Sequence, residues 1–132
     1  MWHKLIWLAA GGTLGTMARY GLTGLVHRLL GHHLEATLGG GFPWGTLVVN
    51  VLGCFLFGVG WSMTEQGLRM DGQLRLAVFT GFLGAFTTFS TYAFESGQML
   101  RDGQWFLLAG NVVVQNGLGL AAVLLGFAIG RV

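Results

Sequence analysis

Four long apolar stretches alternate with short polar ones along the chain. They run from about residue 5 to 30, 43 to 64, 75 to 100 and 105 to 130. The links between them read GHHLEATLGGGF, EQGLRMDGQL and RDGQ, and their glycines and charges mark them as loops. Each stretch has the roughly 20 mostly apolar residues that an α-helix needs to cross a bilayer. The pattern therefore predicts an all-α membrane protein, with residues 1–132 forming one domain of four transmembrane helices. Pro43 suits a first helical position. Lys4 is followed by only six apolar residues before Gly11-Gly12, which is short for a secretory leader, so the first helix is expected to be retained.

Composition supports this reading. Hydrophobic residues make up 53% of the chain and charged residues 9%, against about 25% charged in a soluble domain, and the mean hydropathy is +0.65. The formal net charge of +2 comes from scattered groups, so no basic cluster exists to hold nucleic acid. One cysteine, Cys54, lies in an apolar run and reads as a small core residue. His32-His33 offers two metal ligands, but in a loop it reads as solvent-exposed. With four spans, Lys4, Arg69, Arg75 and Arg131 fall on one side of the membrane, and Arg28 and Arg101 on the other. That bias is too small to fix one orientation by the positive-inside rule. The 24 glycines include the pairs Gly11/Gly15, Gly41/Gly45 and Gly126/Gly130, at the spacing that lets helix backbones approach closely. Four short spans enclose little interior, so an oligomer is expected.

Polar residues inside the spans carry the functional signal, because they are costly in lipid and usually face an interior or a water path. Measured from one membrane face at ~1.5 Å per residue, Arg19 lies ~14 Å deep, Asn50 ~10 Å, and Glu95 and Asn111 each ~9 Å. Every span thus brings a polar group to the same half of the membrane, as a vestibule leading to a pore would require. Each also has a plainer reading. Arg19 can snorkel to the headgroups or pair with Glu95, and Asn50 can bond neighbouring helices together. Asn111 and Gln115, four apart, share a face and read as a polar track. With Glu95 paired, the remaining groups are mostly hydrogen-bond donors, which suit an anion.

The third span is interrupted at its centre by GFLGAFTTFSTY, residues 81–92. Gly81 and Gly84 weaken a helix and the threonines are β-branched. Hydroxyls there can bond nearby carbonyls and open the helix. A break at mid-depth is tolerated only where protein shields it or a cavity adjoins it. It can present backbone carbonyls to a cation, and in two copies of opposite orientation the breaks would meet on the two-fold axis. Phe89 and Tyr92 share a face. They are either core or a pair of rings whose positive edges favour an anion.

These residues resemble the Fluc fluoride channels, also called CrcB proteins. The matching motifs are GGTLGTMARY at 11–20, WGTLVVNVLGCFLFG at 44–58 and GFLGAFTTFSTYAFE at 81–95. They occur in order over essentially the whole chain. The resemblance implies a passive fluoride channel of the bacterial inner membrane, not an enzyme, which exports toxic cytoplasmic fluoride. It implies an antiparallel, dual-topology homodimer with two pores at its interface and a structural sodium ion at its centre. The sodium would be held by the backbone carbonyls of Gly84 and Thr87 from each copy. The pore positions fall on Asn50, Phe89, Tyr92, Ser90, Asn111 and Gln115, and the vestibule positions on Arg19 and Glu95. Two departures stand out. Tyr92 replaces the usual second phenylalanine, so its hydroxyl either donates to the ion or turns away and leaves the ring edge. A common glycine pair reads Gly84-Ala85. Small dual-topology, proton-coupled multidrug transporters are the alternative, but they use an acidic residue in their first span, and this first span has none.

The small charge bias predicts that both orientations occur in one membrane. Single-cysteine reporters in the links, in a Cys54-free background, are expected to react with impermeant reagents from both sides. Reaction of each link from one side only would exclude it.

Overall fold

The computed structural model describes residues 2–31 and 41–131, and the described residues contain helices and turns with no strand. The elements are α1 (Trp2–Val26), a π-helical turn π1 (His27–Gly31), α2 (Trp44–Glu65), α3 (Gly72–Arg75), π2 (Leu76–Leu83), α4 (Gly84–Phe86), α5 (Phe89–Arg101) and α6 (Trp105–Ile129). Three helical stretches, Trp44–Glu65, Gly72–Arg101 and Trp105–Ile129, are long and apolar enough to cross a membrane. The chain is thus an all-α membrane protein. The first helix, at 25 residues, is equally long, but its hydropathy is diluted by His3, Lys4, Arg19 and its small residues. Pro43 is the residue before α2, not its first member. The His32-His33 pair lies outside the described residues.

The third stretch changes partners halfway along. Its first half, π2 and α4, lies against α1, whereas its second half, α5, lies against α6, and α2 runs along α6. Close approach of backbones makes both contacts possible. A side chain on Gly11 would strike the backbone of Ala77, and one on Gly15 the backbone of Phe82. On the other side, a Cβ at Gly126 would meet Phe55 and lie 2.8 Å from the Val59 amide, while one at Gly130 would lie 2.7 Å from the Val59 carbonyl. Two of the three glycine pairs therefore do what their spacing predicts. The third does not, because Gly41 lies in a turn before α2, with φ +111°, and a Cβ there would meet only the Leu107 side chain at 3.7 Å, whereas one at Gly45 would press on the Thr23 side chain at 2.7 Å.

The interruption falls later than the glycines suggest. Helical backbone continues through Gly81 and Gly84 and stops only at Thr87 (φ −83°, ψ 161°) and Thr88 (φ −150°, ψ 105°). Gly81 instead lets α1 approach, with a Cβ there 3.2 Å from the Gly11 Cα. Thr87 closes the first half from within, its Oγ1 donating to the Leu83 carbonyl at 3.0 Å, the back-bonding that opens helices. Thr88 starts the second half as an N-cap, its hydroxyl accepting from the Thr91 amide at 3.2 Å.

Gly126→Ala is expected to destabilise the fold by about 2 kcal/mol or more, because the clash is with backbone that cannot move aside. Gly117→Ala, with nothing near its Cβ, is expected to be neutral or slightly stabilising. Thermal melts of the two variants in detergent check the difference.

Candidate ion pathway

Asn50 links α2 to the interruption by gripping one residue of it on both sides. Its Oδ1 accepts the Thr88 amide N–H at 2.8 Å, and its Nδ2 donates to the Thr88 carbonyl at 3.2 Å. The other Nδ2 hydrogen goes to Gln115 Oε1 at 3.1 Å. Gln115 in turn donates to Asn111 Oδ1 at 3.5 Å, and Asn111 donates to Ser96 Oγ at 3.0 Å. This chain of amides joins α2, α5 and α6, with Asn111 0% and Gln115 7% exposed. Unpaired amides there would be costly, and the reciprocal geometry removes that cost.

The interruption leaves the carbonyls of residues 84–87 without their helical donors, and the bonds just described account for two of them. In an unbroken helix the Thr88 and Thr91 amides would serve the carbonyls of Gly84 and Thr87. Here the Thr88 amide is taken by Asn50 and the Thr91 amide by the Thr88 hydroxyl. The carbonyls of Gly84 and Thr87, the two that the family resemblance singles out for a cation, are thus among those left free to act as hard oxygen donors.

A cavity of about 300 Å³ lies beside this cluster, and Asn50, Phe89, Tyr92 and Gln115 all line it. Phe89 stands at the start of α5 and is 77% exposed. Its ring is 5.6 Å from that of Tyr92, tilted by 58°. Of the other expected pore residues, Ser90 lies on the exposed start of α5 with its Oγ 3.4 Å from that of Thr88. Asn111 reaches the cavity only through Gln115.

The expected vestibule pair is separated. Glu95 Oε1 accepts from Thr46 Oγ1 at 2.8 Å, and its Oε2 is buried without a hydrogen-bond partner. Thr46 precedes Asn50 by one turn, so Glu95 joins the same face of α2. Arg19 is half-buried on α1, and among the described residues Arg101–Asp102 is the only ion pair. The Arg19–Glu95 pairing is therefore not made within one chain.

Sequence reasoning passed over Thr88, Thr46 and Asn116. Thr88 was legible as an N-cap, with Thr91 three residues on. Thr46 shares a face with Asn50, and Asn116 follows Gln115, but spacing alone does not show what either touches.

The family described as "CrcB-like protein, Camphor Resistance (CrcB)" matches residues 6–127. A protein of Nitrosococcus oceani named "Fluoride-specific ion channel FluC" is 52% identical over 132 residues, covering 100% of this chain and 99% of the relative. Proteins of the same name from Solidesulfovibrio magneticus and Desulforapulum autotrophicum are 47% and 40% identical over 131 residues, each covering 99% of this chain and 98% of the relative.

Asn50→Ala is expected to destabilise the protein by about 1–3 kcal/mol, because it orphans the buried Thr88 N–H. Melting of the purified variant beside wild type measures this. An unchanged midpoint would mean that Asn50 does not hold the interruption.

Proposed function

The chain belongs to the CrcB family, and we propose that it is a passive, fluoride-selective channel that lets fluoride leak out of the cytoplasm. The observation that carries the reading is the convergence of Asn50, Phe89, Tyr92 and Gln115 on one cavity beside a broken membrane helix, in a chain related over its whole length to proteins named as fluoride channels. Fluoride is small and strongly hydrated. A narrow path admits it only by replacing its water with donors and ring edges, while a larger anion fits such a path poorly. Passage also requires binding that is weak enough to release the ion.

The working unit in this proposal is an antiparallel homodimer with two pores, each copy crossing the bacterial inner membrane four times. Support comes from the side of the chain that carries the cavity. Phe89, Ser90, Thr91 and Asn116 are exposed there, and polar side chains at membrane depth call for a covering surface. A two-fold axis in the membrane plane would bring the two interruptions together. The Gly84 and Thr87 carbonyls of both copies would then hold one sodium ion, which supplies the positive charge that their missing amide partners do not. Arg19 and Glu95 belong to the vestibule, where Arg19 attracts the anion. The multidrug-transporter reading loses its main requirement, since α1 contains no acidic residue.

Liposomes containing the purified protein are expected to release fluoride without a proton gradient and to retain chloride. Equal release of both anions would defeat the selectivity, and dependence on a proton gradient would favour the transporter. In the same liposomes, replacing sodium on both sides with a large organic cation is expected to silence flux or weaken the dimer. Unchanged flux and dimer would remove the sodium from the proposal.

A further inference from the structure

Resting on the channel reading, we propose that the Tyr92 hydroxyl proton is the side-chain donor offered to fluoride in this cavity, and that Asn116 is the positioning residue that aims it. The proposal follows from tracing each donor on the cavity wall. Both Nδ2 hydrogens of Asn50 are occupied, one by the Thr88 carbonyl and one by Gln115 Oε1. The Thr87 hydroxyl donates to the Leu83 carbonyl, and the Thr88 hydroxyl donates to Thr91 Oγ1 at 2.8 Å. The Asn116 amide donates to the Val112 carbonyl at 2.7 Å and to Tyr92 Oη at 3.2 Å. Apart from the weak thiol of Cys54, two side-chain protons are left over, one N–H of Gln115 and the O–H of Tyr92. Gln115 is buried at 7% exposure, whereas Tyr92 is half-exposed and its hydroxyl has no acceptor among the described residues.

Asn116 decides where that proton points. Its amide cannot be flipped, because a flip would set Oδ1 against the Val112 carbonyl, acceptor against acceptor. The N–H is therefore fixed toward Tyr92 Oη. A phenolic O–H prefers the plane of its ring and has two positions there. The one facing Asn116 would set donor against donor, so the proton takes the other. The hydroxyl accepts on one side and donates on the opposite one, and hydrogen bonds linked in this way strengthen each other. A phenylalanine at this position would offer only a C–H edge. The tyrosine thus adds a true hydrogen-bond donor to the aromatic pair, and this requires the Asn116 partner on α6.

Fluoride efflux from liposomes is measured for Tyr92→Phe, Asn116→Leu and the double variant, with the melting midpoint of each. Tyr92→Phe is expected to lower the rate about tenfold, the scale of one hydrogen bond to a charged group, with a midpoint close to that of wild type. Asn116→Leu is expected to lower it as well, and the double variant to be no slower than Tyr92→Phe, because the two residues act through one proton. A Tyr92→Phe rate equal to wild type overturns the proposal, as do independent, multiplying effects of the two single variants. Either result leaves the channel reading standing if the wild type still passes fluoride. A wild type that passes none overturns both.

Discussion

A peptide group inside a membrane finds no water to bond, so every interruption of a helix there must be answered by another part of the protein. In this chain the answer is the Asn50 side chain, which accepts from the amide of Thr88 and donates to its carbonyl. One primary amide is shaped to serve both groups of a single residue at once, and few side chains can replace it. The arrangement also directs what lies on either side. Diverting the Thr88 amide from Gly84 frees the Gly84 carbonyl, and the N-cap made by the Thr88 hydroxyl frees that of Thr87. Both free carbonyls are thus a by-product of the bonds that hold the helix open.

The interruption is equally a mechanical device. It lets one membrane span lie against α1 in its first half and against α6 in its second. Glycine makes the first contact close. Gly11 and Gly15 on α1 admit the backbone of π2, and the wider π-helical coil is of the kind often found at functional sites. On the far side, Gly126 and Gly130 bring α6 against α2, which sets Gln115 within reach of Asn50. The polar chain from Asn50 to Ser96 depends on this approach, since a longer distance between α2 and α6 would leave its amides unpaired.

The aromatic pair completes the site at its open side. Phe89 begins α5 directly after the capped break, so its position is set by Thr88. Tyr92, one turn later, is tied by its hydroxyl to Asn116. Rigid placement matters for an anion as small as fluoride, because donors compete with a tightly held water shell only if they need not rearrange to do so.

How much of this was legible in the sequence differs from residue to residue. The membrane setting was written in the long apolar runs, and the interrupted third span in residues 81–92. The family was carried by three motifs whose order spans the chain. That Asn50, Glu95, Asn111 and Gln115 fall at neighbouring levels of the bundle followed from helical rise alone, because distance along a helix is a property of the sequence. Contacts between helices are not. That the break lies at Thr87-Thr88 and not at the glycines depended on Asn50 arriving from α2. Glu95 bonded Thr46 and not Arg19, and Asn116 reached Tyr92, because helix rotation and crossing set which faces meet. Helical rise sets which side chains lie at one level of the bundle, but only the tertiary structure decides which of them come within hydrogen-bonding distance of one another. Hydrogen bonding, unlike burial, has force only at that range.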